Sequence, residues 1–216
     1  MNQPAIPEDV RQLIEESVAW RMFSLAFERP RNGWCDHVAS IASDSSDEVV
    51  RSVAELAKEQ SSEELFLNLF GPGGAISPRE VAYRGLADPG HLLAELETIY
   101  GAFAYEPVSE ECPDHVSVEA GFVGYLRMKQ AFARLVGDEE SEKIAAEAAD
   151  LFLREHLAPV AHGLCKRLED DDTFYIGRAA MLMRARLGDI EVPAIVEPPD
   201  DEDELSCAGT CPIDEV

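Results

Sequence analysis

Basic side chains are scarce in this sequence. The 216 residues include 18 Lys and Arg against 43 Asp and Glu, which gives a formal net charge of −25 at pH 7. The phosphate backbone of a nucleic acid and the anionic surface of a membrane would both be repelled by such a chain. The charge therefore excludes nucleic acids and anionic membranes as general partners and favours a cationic one.

Long apolar runs are also missing, although 46% of the residues are hydrophobic. No stretch approaches the roughly 18 consecutive apolar residues of a membrane-spanning helix. The N-terminal segment MNQPAIPEDVRQLIEE has no basic region followed by an apolar one, as a secretory signal would. Five cysteines, an odd number spread along the chain, do not form the pattern of a disulfide framework. We therefore expect a cytoplasmic protein with reduced thiols and a hydrophobic core.

Three motifs that would identify an enzyme are absent. The sequence has no G-x-S-x-G nucleophile elbow, and the glycines of GPGGAISP are not followed by a phosphate-binding lysine. None of the five histidines has a glutamate three residues before it, as in a di-iron helical bundle. We therefore expect a protein that is not an enzyme and needs no cofactor.

Most of the chain carries the 3.6-residue apolar pattern of amphipathic helices, and alternating β-branched runs are missing. The pattern predicts an all-α protein, a single bundle of about nine helices within residues 1–190. The first helix is expected over about Glu8 to Glu28. Further helix starts are indicated by capping boxes and by an acid before proline: Ser45 with Glu48, Ser61 with Glu64, and Asp88 before Pro89.

The composition changes after residue 190. Residues 197–216 contain eight acids and no Lys or Arg. This composition predicts a disordered acidic tail over residues 191–216. Cys207 and Cys211 in this tail have the spacing of an incomplete soft-metal site or a small disulfide loop, and neither interpretation can be preferred from the sequence.

Two segments depart from the plain helical pattern and are candidates for function. Residues 71–90, GPGGAISPREVAYRGLADPG, are too rich in Gly and Pro for a long helix and too apolar for a linker, so we expect an ordered functional loop. Gly71 would begin it as a left-handed helix cap. The second segment is Pro113-Asp114-His115, directly before a long apolar-striped helix. Pro113 suits its first position and Asp114 its first turn, where a carboxylate accepts free backbone N–H groups.

The Asp114-His115 pair has more than one interpretation at this point. His115 and Glu119 lie four apart on one helical face near Cys112, which permits a metal site, although four ligands are needed. Asp114 also suits a helix cap. An acid and an imidazole exposed at a helix end would in addition be available to a partner, and His115 would then make that binding depend on pH.

The order of these segments resembles the TorD/DmsD/NarJ family of cytosolic chaperones for molybdoenzymes. EELFLNLFGPGG resembles the family's Leu-Phe-x-Gly stretch, and SPREVAYRG resembles its next Pro-rich segment with Glu and Tyr. YGAFAYEPVSEECPDHVSVEAGFVGYL is similar to its Pro-Asp-His and long-helix signature, and LFLREHLAPVAHGLCKRL to its Phe-Leu-x-x-His-Leu segment. The resemblance spans about residues 65–168. It assigns five residues to family motifs: Leu69, Phe70, Gly71, His156 and Leu157.

The resemblance implies an all-α cytoplasmic chaperone that binds the catalytic subunit of a molybdopterin oxidoreductase while its cofactor is inserted. Many relatives also bind the twin-arginine signal peptide of that precursor. Some exchange helices between protomers, so a monomer or a helix-swapped dimer is expected. Such a peptide is basic and then apolar, so its receptor needs carboxylates beside an apolar groove. The alternative is an acidic helical adaptor for another basic protein.

We therefore predict that the 71–85 loop and the Pro113-Asp114-His115 turn lie side by side and form an open groove for the client peptide. Glu80 and Asp114 would face basic residues, and Tyr83 and Phe122 would meet the apolar part. From the sequence, replacing Asp114 and His115 by Ala should weaken binding and leave the helical melt nearly unchanged. The predicted client-peptide site consists of Glu80, Tyr83, Tyr100, Pro113, Asp114, His115, Glu119 and Phe122.

Overall fold

The computed structural model describes residues 6–85, 88–168, 173–188 and 190. These residues form nine continuous helical segments and no strand, which confirms the all-α prediction. One isolated backbone bridge joins Arg79 to His115. In chain order the helices are α1 (Glu8–Ala26), α2 (Trp34–Asp44), α3 (Glu48–Gln60), α4 (Glu63–Phe70), α5 (Val81–Arg84), α6 (Pro89–Ala102), α7 (Val116–Val136), α8 (Glu139–Phe152), which continues through a π-helical turn (Leu153–Leu157) into α9 (Ala158–Arg167), and α10 (Tyr175–Leu187).

Helix α7 lies at the centre of the bundle, antiparallel to α1 on one side and to α8 on the other. Helices α1 and α7 approach closely because small residues meet. Ser17 Oγ donates to Gly124 O at 2.7 Å, and a Cβ added at Gly124 would lie 3.0 Å from Ser17 O. On the other side the Phe152 ring of α8 packs against Phe122 with centroids 4.8 Å apart. The aromatic core is therefore built around α7.

No helix in the described part of the chain combines the length and the apolar character that a membrane crossing requires.

The helix starts agree with the sequence predictions to within a few residues, but the cap residues of α3 and α4 differ. Asp47, and not Ser45, caps α3 by accepting from Val49 N–H at 2.8 Å. Ser62, and not Ser61, caps α4. Neither predicted capping box forms in this register. Adjacent polar residues offer equivalent acceptors, and only the direction of the incoming chain selects between them.

The start of α7 also differs from the prediction. Helix α7 begins at Val116, so Pro113 is not its first residue and Asp114 does not cap it. His115 is the N-cap. Its Nδ1 accepts from Ser117 N–H at 3.2 Å and lies 2.7 Å from Ser117 Oγ. The imidazole therefore takes the role that the sequence assigned to the carboxylate of Asp114.

Gly71 does not adopt the predicted left-handed conformation. Its φ of −72° and ψ of 179° are extended, and the positive φ angles of residues 71–85 occur at Gly73 and Gly85 instead. A Cβ at Gly71 would lie 2.5 Å from Leu67 O. Glycine is therefore required there because the backbone turns sharply back on α4.

The division of the chain into a domain of residues 1–190 and an acidic tail of residues 191–216 stays a prediction. The tail, with Cys207 and Cys211, lies outside the described residues, as do residues 86–87.

Candidate functional site

The glycine-rich loop before α5 (residues 71–80) and the turn before α7 (residues 113–115) lie side by side, as the sequence predicts. Glu80 N–H donates to Asp114 O at 2.8 Å, and Val116 N–H donates to Pro78 O at 2.9 Å. The Asp114 carboxylate accepts from Arg79 Nε at 2.8 Å. Backbone and side chain thus fasten the loop to the start of α7.

The site is closed, however, and not the open groove that the sequence predicts. Pro113 is half-buried. Asp114 and His115 are 0% and 3% exposed, so neither is presented at an exposed helix end. Their part in client binding stays a prediction. The seven other members of the predicted site are each at most 4% exposed: Glu80, Tyr83, Tyr100, Asp114, His115, Glu119 and Phe122.

Ionisable groups meet inside this part of the fold. Glu80 Oε1 accepts from Arg84 Nε, and Glu80 Oε2 lies 3.2 Å from His156 Nδ1. Arg84 also donates to the Glu155 carbonyl. The cluster therefore ties α5 to the π-helical turn, which is more than 70 residues away in the chain. We call this set the buried charge cluster: Arg79, Glu80, Arg84, Asp114, Glu119 and His156.

The family-motif residues of the π-helical turn contribute directly to the cluster. The His156 ring stacks on Phe152 with centroids 4.7 Å apart, and its Nδ1 reaches Glu80. Leu157 is fully buried in the core. Single π-helical turns are frequent at functional sites because they re-aim a side chain. Here the turn places His156 against α5.

The other motif residues shape the beginning of the glycine-rich loop. Leu69 O accepts from Ile76 N–H at 2.9 Å, which closes the loop back on α4. The Phe70 ring packs against Phe27 with centroids 6.3 Å apart. Together with the close backbone approach at Gly71, these contacts explain why Leu, Phe and Gly occur in succession there.

Within the buried charge cluster, Glu119 is the group whose ionised form is most destabilised by burial. Its side chain is fully buried. Within the described residues, neither carboxyl oxygen accepts a hydrogen bond. The Glu80 carboxylate lies close enough to accept one from a protonated Glu119. Burial, then the Glu80 and Asp114 carboxylates, raise the pKa of Glu119 well above its usual value. Glu119 is thus held in a state that favours the neutral acid.

Substituting Glu119→Gln is therefore expected to stabilise the protein increasingly as the pH rises above 4.5, the ordinary pKa of a glutamate side chain. With a folded pKa above the unfolded one, wild-type stability falls as the pH rises between the two values, by at most about 1.4 kcal/mol per pH unit. Gln keeps the shape and cannot ionise. Urea unfolding measured from pH 4.5 to 8 tests this, with the exposed Glu140→Gln as the control. Equal pH slopes for wild type and Glu119→Gln would contradict it.

The metal-site interpretation of the Asp114-His115 turn finds no support in the geometry. His115 Nδ1 is occupied as the cap of α7, and Glu119 faces Glu80. Within the described residues, no group of three or more His, Cys, Asp or Glu side chains is placed to hold a metal ion. Burial, and then Arg79, lower the pKa of His115 to about 4. The imidazole is therefore neutral at neutral pH.

The buried charge cluster reaches solvent through its two arginines. The Arg79 and Arg84 side chains are 35% and 25% exposed. Neither arginine was among the site residues predicted from the sequence, although both flank Glu80 in PREVAYRG in a chain that has few basic residues. Because Arg79 pairs with Asp114 and Arg84 pairs with Glu80, the buried charge cluster is suited to holding the glycine-rich loop in place.

A row of exposed apolar side chains lies elsewhere, on α7 and α8. Met128 is 43% and Phe132 is 65% exposed. The sequence contains a sign of this row, because Met128, Phe132 and Val136 repeat every four residues beside the core-facing stripe. The row borders a groove of about 590 Å³. We call it the α7–α8 groove, and its larger apolar lining residues are Phe103, Tyr125, Met128, Phe132, Val136 and Ile144.

The chain matches the family model described as nitrate reductase delta subunit over residues 31–166, well over half of its length. The matched region contains the glycine-rich loop, the turn before α7, the π-helical turn and the α7–α8 groove. No curated protein and no solved structure matches the chain. The protein therefore belongs to the nitrate reductase delta subunit family, the NarJ/TorD family of non-catalytic chaperones for molybdoenzyme maturation.

Proposed function

We propose that the protein is a cytoplasmic chaperone for the catalytic subunit of a molybdopterin oxidoreductase. It holds this subunit while the cofactor is inserted, and it binds the twin-arginine signal peptide of the precursor. The observation that carries the proposal is the family match over residues 31–166. The net charge of −25 supports it, because the signal peptide begins with basic residues that an acidic surface attracts.

The predicted client-peptide residues act indirectly in this proposal. The eight side chains are buried or half-buried, so they hold the glycine-rich loop against α7 and do not touch the peptide in this conformation. The folded body of the client, as distinct from its leader, then meets the outer face of that loop and the exposed parts of Arg79 and Arg84. Loosening the buried charge cluster would weaken binding by disordering this face.

Purification of the tagged full-length protein from its native cells tests the proposal. We expect one main partner, a molybdopterin oxidoreductase catalytic subunit, identified by mass spectrometry and bound in a constant ratio. Because a maturation chaperone binds the immature subunit, the captured subunit should contain much less molybdopterin than the mature enzyme. The tag alone, expressed in the same cells, is the control.

A reproducible partner with no relation to molybdoenzymes would contradict the proposal and favour the acidic adaptor. Capture of a fully cofactor-loaded subunit would contradict the maturation role in particular. Comparing the full precursor with a form that lacks its signal peptide separates binding of the leader from binding of the folded body of the client.

A further inference from the structure

The α7–α8 groove is an apolar surface that no other part of the described chain covers. Phe132 is 65%, Val136 58% and Ile144 51% exposed. From Tyr125 to Val136 the groove follows three turns of α7, a length of about 16 Å at 1.5 Å per residue. A helix of about 11 residues has that length, and the apolar core of a signal peptide has roughly 7–15 residues.

One end of this groove is acidic. Asp138, which lines the groove, and its neighbours Glu139 and Glu140 follow α7 after Gly137, and all three are exposed. Asp138 is engaged as the cap of α8, where it accepts from Ser141 N–H at 3.1 Å. Glu139 and Glu140 form no ion pair within the described residues. Their charges are therefore available to a cation that approaches the Val136 end of the groove.

The groove lining contains one basic residue, which lies toward α6. Lys129 Nζ donates to Phe103 O at 2.8 Å and lies 5.0 Å from the Tyr125 ring centroid. The ammonium is thus already held by the protein. The groove therefore has a direction, from carboxylates at the start of α8, along an apolar floor, to a fixed cation near Phe103.

We infer that the α7–α8 groove binds the leader of the immature client as a helix. The leader's basic residues lie at Glu139 and Glu140, and its apolar core lies along Phe132 and Met128. This inference rests on the proposed function and adds the surface and the direction of binding to it.

Charge selects this occupant over the alternatives. A leader that is basic and then apolar complements the groove in the same order. A second copy of this chain would bring its own net charge of −25 to the acidic end. Anionic lipid headgroups would meet the same repulsion at Glu139 and Glu140.

A synthetic peptide tests the inference. The probe has two adjacent arginines followed by about twelve Leu and Ala residues and carries a fluorophore. Its binding to the full-length protein is measured by fluorescence anisotropy. Phe132→Ser is expected to weaken binding at least about tenfold, because it removes the largest exposed apolar contact. The double variant Glu139→Gln/Glu140→Gln should weaken binding about three- to tenfold at low salt and less at high salt.

The matched control is Leu67→Ser, an apolar residue on α4 that is 37% exposed and lies outside the groove. Its affinity should stay within about twofold of wild type. Since Phe132 and Leu67 are both exposed, both variants should keep the wild-type thermal melt. Direction is tested with a photo-crosslinker placed at either end of the peptide. The arginine end should react with the start of α8, and the other end should react near Phe103.

The outcomes separate this inference from the proposed function. If the wild type binds the peptide and Phe132→Ser binds it equally well, the groove assignment is overturned and the proposed function stands. If the wild type binds neither the peptide nor any molybdoenzyme precursor, both fall. If the wild type is a dimer and Phe132→Ser is a monomer, a second copy of the chain occupies the groove. If the wild type binds anionic vesicles and Phe132→Ser does not, the groove binds a membrane surface. Either result overturns the inference.

Discussion

Replacing Asp114 by Ala is expected to lower the free energy of unfolding by about 3 kcal/mol. The Asp114 carboxylate is fully buried, where it accepts from Arg79 Nε at 2.8 Å and from Val81 N–H at 3.4 Å. Breaking a buried ion pair by removing one partner costs roughly 3–5 kcal/mol. The effect lies at the lower end of that range because Arg79 is 35% exposed and water would solvate it. Equilibrium urea unfolding followed by circular dichroism measures the change.

The matched control is Glu147→Ala. Glu147 also pairs with a basic side chain, Lys143, at 3.8 Å, but the Glu147 and Lys143 side chains are 69% and 75% exposed. A surface pair of this kind contributes at most about 1 kcal/mol. If the two variants lost equally little stability, the structural role assigned to Asp114 would be wrong. The expected loss also corrects the sequence-based view that Asp114 can be removed without affecting the helical melt.

Substituting His115→Asn is expected to remove a pH dependence of stability worth up to about 3 kcal/mol. The folded pKa of His115 is about 4, below its unfolded value of 6.5. Between these values the unfolded chain binds more protons than the folded one. The stability that neutral His115 supports is thus fully present above pH 6.5 and is lost as the pH falls toward 4. The slope is at most about 1.4 kcal/mol per pH unit.

Asn is the informative replacement because its side chain is also a good N-cap acceptor and preserves the start of α7. Glu119 opposes the effect, since its raised pKa makes the fold more stable as the pH falls. The quantity to measure is therefore the difference between wild type and His115→Asn in urea unfolding at several pH values. His37→Asn, at an exposed histidine of α2, is the control. Parallel pH profiles for wild type and His115→Asn would contradict the burial argument.

Signals that act over a few residues led to correct predictions. Asp88 before Pro89 predicts the start of α6, and its carboxylate accepts from Gly90 N–H at 2.9 Å. Both partners of such a contact lie within three residues of each other, so the sequence contains the whole interaction. Where neighbouring residues were equally suitable, as at Ser61 and Ser62, the prediction missed by one residue.

Contacts between distant segments could not be predicted in the same way. Asp114 was expected at the surface because its own neighbours suit an exposed helix start. Its ion-pair partner Arg79 is 35 residues away in the chain. Glu80 and His156 are 76 residues apart. A local pattern contains no information on which of many charged residues will meet, or on whether the meeting excludes water.

The sequence by itself determined that this protein is all-helical, strongly acidic and similar to a chaperone family. Helical periodicity, net charge and motif order are properties of the chain alone. Only the tertiary structure decided that Asp114 and His115 are buried, that Glu119 is buried beside Glu80, and that the α7–α8 groove remains exposed. Burial and charge pairing depend on how distant helices pack, because solvent is excluded by the assembled bundle and not by any one segment.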